Sequence, residues 1–164
     1  MTSQQQEEIY HEWLSSHKPL IFKILKAYSR NNADENDLFQ EIAIQVWKSI
    51  PSFKKQSSVH TWIYRIALNT ALKWSSRKSN KDILDGNEHT RLVEAQPQSN
   101  EKLDWLYSEI QRLDKVERSL TLLMLDGFSY QEMSEMLGIS ISNVGVKINR
   151  IKKHLKERSK LIHV

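Results

Sequence analysis

One glycine places the tightest condition on how this chain can fold. Gly138 divides GFSYQEMSEMLGISISNVGVKINRIKKHLKERSK, residues 127–160, into two segments of helical periodicity. Met133, Met136 and Leu137 recur at three- and four-residue intervals, which lays an apolar stripe on one face of a helix over 130–137. A chain leaving a helix needs a left-handed residue that carries no Cβ penalty, and Gly138 supplies one. Ile139 can fill the gap between the helices. Ser140 or Ser142 offers an oxygen to the free amides that open the second helix. There Val144, Ile148, Ile151 and Leu155 make the inner stripe, and Asn143, Lys147, Asn149, Arg150, Lys152 and Lys153 the remaining face. A short helix, a glycine turn and a basic second helix is the plan of a DNA-reading helix-turn-helix. An ordinary αα-hairpin with a solvated lysine face is the plainer alternative.

The 164 residues allow one domain or two small ones, and they include only four glycines and three prolines. Long stretches are therefore free to be helical, and a many-turned all-β fold is excluded. The expected fold is all-α, with two small helical domains joined by a flexible linker and the helix-turn-helix in the second. The chain has no cysteine, so disulfides, cysteine–zinc sites and thiol catalysis are ruled out. The histidines at 11, 17, 60, 89, 154 and 163 lack zinc-type spacing, and no glycine-rich phosphate loop occurs. No enzyme, cofactor or metal is expected. No signal peptide or membrane-spanning apolar run is visible, which makes the cytoplasm the expected location.

Charge is polarised along the chain. Residues 42–81 hold eight Lys/Arg and no acid; residues 139–160 hold seven Lys/Arg and only Glu157. These segments carry +14 between them, against +4 for the whole chain, leaving −10 elsewhere. Two basic segments flanking an acidic one suggest two contact zones on a polyanion.

Residues 1–30 suggest two scaffold helices, the first capped by Ser3 and the second with Pro19 in its first turn. Asp34 opens a third helix, in which Leu38, Ile42, Val46 and Ile50 are apolar at i, i+4, i+8 and i+12. Asp37, Gln40, Glu41 and Gln45 fall on its polar face, and Pro51 ends it. A loop over 52–58 leads to a fourth helix capped by Ser57 or Ser58. Its outer face mixes His60, Tyr64, Arg65, Asn69, Lys73 and Arg77, and rings among cations suit unpaired bases. At least one of Trp62 and Trp74 belongs to the core. Residues 79–100 lose the pattern and read as linker, so the expected domains are 1–78 and 101–164.

Three stretches, DLFQEIAIQVWKSIPSF, TWIYRIALNTALKW and GFSYQEMSEMLGIS…VGVKINRIKKHL, together resemble the sigma-70 family of RNA polymerase sigma factors. The resemblance is to the short extracytoplasmic-function (ECF) group. DLFQE at the right distance before TWIYRIALNTAL is its most specific part. It implies that 1–78 is region two, which binds core polymerase and melts the minus-ten element. It implies that 101–164 is region four, which reads the minus-thirty-five element. Core RNA polymerase, promoter DNA and an anti-sigma factor are the implied partners.

Residue by residue, the resemblance assigns Asp37, Gln40 and Glu41 to the polymerase clamp. It assigns the loop from Phe53 to Ser58, with Lys54 and Ser57, to a flipped minus-ten base. Arg65, Asn69 and Lys73 face the melted strand, and Ser142, Asn143, Lys147 and Arg150 face the minus-thirty-five duplex. The chain departs from the family pattern at Lys54-Lys55, where Arg-Gly is usual, and at Gly145 inside the recognition helix. A stand-alone helix-turn-helix regulator, with an N-terminal dimerisation or ligand domain, is the rival reading. It gives no reason for acidic Asp37 and Glu41 beside an acid-free helix of aromatics and cations.

Overall fold

The computed structural model describes residues 1–85 and 100–161. The chain divides into two compact units, Met1–Glu94 and Ala95–Val164. All regular structure among the described residues is helical, with eight α-helices and one 3-10 turn.

The first unit begins with α1 (Ser3–Ser16) and α2 (Lys18–Tyr28). Thr2, not Ser3, caps α1: its hydroxyl accepts the Gln5 amide while the Gln5 side chain returns to the Thr2 amide. Helix α3 (Asn32–Ser49) starts two residues before Asp34, because the Asn31 side chain accepts the Asp34 amide at 2.8 Å and serves as the cap. A 3-10 turn at Ile50–Ser52 carries Pro51. Helix α4 (Val59–Asp85) is capped by the Ser58 hydroxyl on the Thr61 amide. It continues through 79–85, residues expected to be linker; 86–99 lie outside the described residues.

Helix α4 packs against both α2 and α3. That arrangement explains why its buried arc is wide. Ile63, Tyr64, Ala67, Leu68, Thr70, Ala71 and Trp74 are all buried, and Ala67 and Ala71 let the neighbouring helices approach closely. Leu38, Ile42 and Val46 of α3 and Ile24 and Leu25 of α2 complete the core. Each large apolar side chain there contributes about 1.5–3 kcal/mol by leaving water.

The second unit holds α5 (Glu101–Arg112), α6 (Lys115–Leu125), α7 (Tyr130–Leu137) and α8 (Ile141–Lys160). Side chains of Asn100, Asp114, Ser129 and Ser140 cap the four in turn. Gly138 ends α7 at φ +69°, in the left-handed region its place in the sequence requires. Met133 and Met136 of α7, Leu120 and Leu123 of α6, and Val144, Ile148 and Ile151 of α8 form the core. Leu155, the last residue of the expected stripe, is half-buried. Ser140 is the cap of α8, which leaves Ser142 and Asn143 in its first turn.

Candidate polymerase and nucleic-acid interfaces

Acidic residues at 34, 37 and 41 mark one edge of α3, and each is engaged by α4. Asp34 is 5% exposed; its carboxylate lies 3.1 Å from the Lys78 ammonium and accepts the Arg30 amide. Asp37 accepts the Trp74 indole N–H at 2.9 Å. Arg77 donates to both oxygens of Glu41, at 2.7 Å to Oε1. The sequence placed Asp37 and Glu41 on a polar face, and both do retain exposure. Neither is free, however, because α4 supplies partners from 36 and 37 residues away. Gln40 is exposed, as is Ile44 one turn later at 51%. Asp37, Gln40, Glu41 and Ile44 thus form a mixed polar and apolar patch.

The loop after α3 splits into an anchor and a presented part. The half-buried Phe53 ring meets Trp13 edge to face at 5.3 Å and lies 5.3 Å from Trp62. Trp62 in turn donates its indole N–H to Ser49 Oγ. Phe53 therefore fixes the loop to the core instead of projecting from it. Lys54, Lys55, Gln56, Ser57 and Ser58 are exposed, with Ser58 occupied in capping α4. Lys55 takes φ +58°, a left-handed conformation that favours glycine.

Arg65, Asn69 and Lys73 follow one another at four-residue steps and form a ridge on α4. Arg65 and Lys73 are exposed and Asn69 is half-buried. Tyr64, expected on this outer face, is fully buried, since α4 is enclosed on two sides. His60 remains exposed, with its ring 5.8 Å from that of Tyr64 and 5.9 Å from that of His17. A ridge of hydrogen-bonding and cationic groups beside an exposed loop can follow phosphates.

In the second unit Ser142, Asn143 and Arg150 are exposed and Lys147 is half-buried. All four lie on the half of α8 that turns away from Val144, Ile148 and Ile151 or at its margin. Gly145 makes no tight backbone approach: an added Cβ would meet only the Tyr130 ring, at 3.7 and 3.9 Å. At the far end of α8, Arg158 holds the buried Glu109 of α5 through its Nε and Nη2 groups at 3.1–3.3 Å. Glu109 is 2% exposed, and the His154 ring also approaches it at 3.8 Å. Sequence reading missed this anchor because its partners are 49 residues apart. Burial, and next the Asp126 carboxylate, raise the Tyr107 phenol above its ordinary 10.0.

Among the described residues no three His, Cys, Asp or Glu side chains are placed to hold a metal ion, and no helix is long and apolar enough to cross a membrane. A helical unit with an acidic edge and a cationic ridge, carried in one chain with a second that holds a capped helix-turn-helix, is an arrangement able to bind protein and nucleic acid. Residues 13–81 match the family model described as Sigma-70 region 2, and residues 103–155 match that described as Sigma-70, region 4. The chain belongs to the ECF group of the sigma-70 family: it is an RNA polymerase sigma factor that directs core polymerase to promoters.

It is 29% identical over 163 residues to the ECF RNA polymerase sigma-E factor of Haemophilus influenzae, covering 88% of this chain and 84% of that one. It is 28% identical over 151 residues to RNA polymerase sigma factor SigZ of Bacillus subtilis, covering 88% and 83%. In fold it is similar to the sigma factor RpoE, solved in complex with the anti-sigma factor NepR from Bartonella quintana. That match has a TM-score of 0.72 at 22% identity, over 94% of this chain and 98% of the other.

Proposed function

We propose that the first unit divides polymerase binding and strand capture between two faces. Asp37, Gln40 and Glu41 contact the polymerase clamp. Lys54, Ser57 and the ridge Arg65, Asn69 and Lys73 hold the melted minus-ten strand, while Phe53 and Ser58 shape the loop. The observation that carries this reading is the ridge itself: Arg65 and Lys73 are exposed and have no ion pair among the described residues. In the second unit Ser142, Asn143, Lys147 and Arg150 contact the minus-thirty-five duplex.

The protein has no reaction to catalyse. Its task is to lower the free energy of an opened promoter, in which stacking has been lost. Cations and hydrogen-bonding groups of the ridge and loop offset part of that loss by following the phosphates of the displaced strand. An anti-sigma factor is its regulatory partner, a reading supported by the fold shared with RpoE, which is solved bound to one. The protein acts in the cytoplasm, where polymerase is.

The test of the polymerase face uses Asp37→Asn with Glu41→Gln, since Asn keeps an oxygen for the Trp74 indole and the fold is spared. The double variant should lose co-purification with core polymerase and promoter-dependent transcription. Undiminished co-purification would remove these residues from the interface.

A further inference from the structure

On α8 one side chain stands out from its neighbours. Val146 is 56% exposed and lies almost opposite Val144, Ile148 and Ile151, the residues that bury the helix. Its neighbours on the helix surface are Ser142 and Asn143 before it and Asn149 and Arg150 after it, all exposed. An apolar branched group thus sits at the centre of four hydrogen-bonding side chains. Folding gives no account of it: at an exposed helical site a β-branched residue is less favourable than alanine, and Val146 covers no core.

We propose that Val146 reads the C5-methyl group of a thymine in the upstream promoter duplex. The inference rests on the reading that α8 enters the major groove. Base edges there offer hydrogen-bond donors and acceptors, and the thymine methyl is the one apolar feature among them. Val146 supplies the matching apolar surface, while the four polar neighbours hydrogen-bond to flanking edges and phosphates. The minus-thirty-five element is therefore thymine-bearing at the position Val146 meets, on whichever strand presents the methyl.

The experiment uses holoenzyme reconstituted from core polymerase and the full chain. Two pools of promoter duplex, randomised over the upstream element, are made with thymine and with deoxyuridine in every thymine position. Bound molecules are sequenced. The expected result is a thymine preference at one position that falls about fourfold in the deoxyuridine pool, the change expected from one buried methyl. Val146→Ala should show the weakened preference in both pools, with the other positions unchanged. Equal preferences in the two pools for the unaltered protein, or a methyl effect that survives in Val146→Ala, would overturn the proposal. Arg150→Ala serves as the separate control for groove entry. If it weakens upstream binding while deoxyuridine does not, α8 binds DNA but Val146 reads no methyl. If neither has an effect, the placement of α8 in the groove fails first.

Discussion

Lys55 holds a left-handed backbone at φ +58° in the exposed loop before α4. A Cβ in that region costs about 1–2 kcal/mol, whereas glycine adds unfolded-state freedom worth about 0.4–1 kcal/mol. Lys55→Gly should therefore raise stability by up to about 1 kcal/mol, read as a higher urea midpoint. A lowered midpoint would mean that the lysine side chain makes a compensating contact. The reverse change applies at Gly145, where an alanine Cβ meets only Tyr130 at ordinary contact distance. Gly145→Ala should stabilise the protein by about 1 kcal/mol, and a lower melting temperature would show that the Tyr130 ring cannot give. Tyr107 adds a pH dependence. Its phenol holds a proton more tightly in the folded state than in the unfolded chain, where the value is near 10.0. Stability is therefore fully present below pH 10 and falls as pH rises through the raised folded value. Tyr107→Phe should flatten that decline in urea midpoints measured above pH 10, and an equally steep decline would assign it to other groups.

Between elements, the join of α3 to α4 ranks its own side chains by burial. Asp34, with its side chain 6% exposed, satisfies both the Lys78 ammonium and a backbone amide. Asp34→Ala should cost about 2–3 kcal/mol, since a buried carboxylate leaves two donors behind. Arg77 and Glu41 have side chains 61% and 35% exposed, so breaking that pair should cost less than about 1 kcal/mol. Equal losses in urea titrations of Asp34→Ala and Arg77→Ala would contradict this ranking. The same join shows where sequence reading stops. Gly138, a serine cap at 140 or 142 and the stripe of Val144, Ile148 and Ile151 were legible because each depends on residues within a turn or two. Tyr64 was misplaced, and the partners of Asp37 and Glu41 were invisible, because α2 and α3 enclose α4 from two sides. Helical periodicity reports one face of one helix; it carries no information about which distant helix lies against it. The family's loop points Phe53 at a flipped base, and the packing of its half-buried ring on Trp13 and Trp62 was likewise invisible in the sequence.

At the scale of the molecule, the proposed function makes promoter affinity the result of joining two modest binding surfaces. Each unit has its own buried core, and each carries one basic segment. The second unit has a single recognition helix, so alone it should hold upstream duplex weakly and with a steep salt dependence. The first, bound to core polymerase, should prefer single-stranded minus-ten DNA. When the two are connected, the second contact becomes intramolecular, and carrying two binding sites on one chain can raise affinity by about 10²–10⁴ without any added contact. A protease site placed within residues 86–99 therefore isolates the effect of connection. After cleavage, both pieces should stay folded by circular dichroism, and the first should still co-purify with core polymerase. Promoter occupancy by the cut holoenzyme should fall by at least tenfold relative to the uncut protein, although every side chain is present. Occupancy that survives cutting would mean that the pieces are held together by contacts of their own, and the covalent connection would then have no part in joining the two promoter elements.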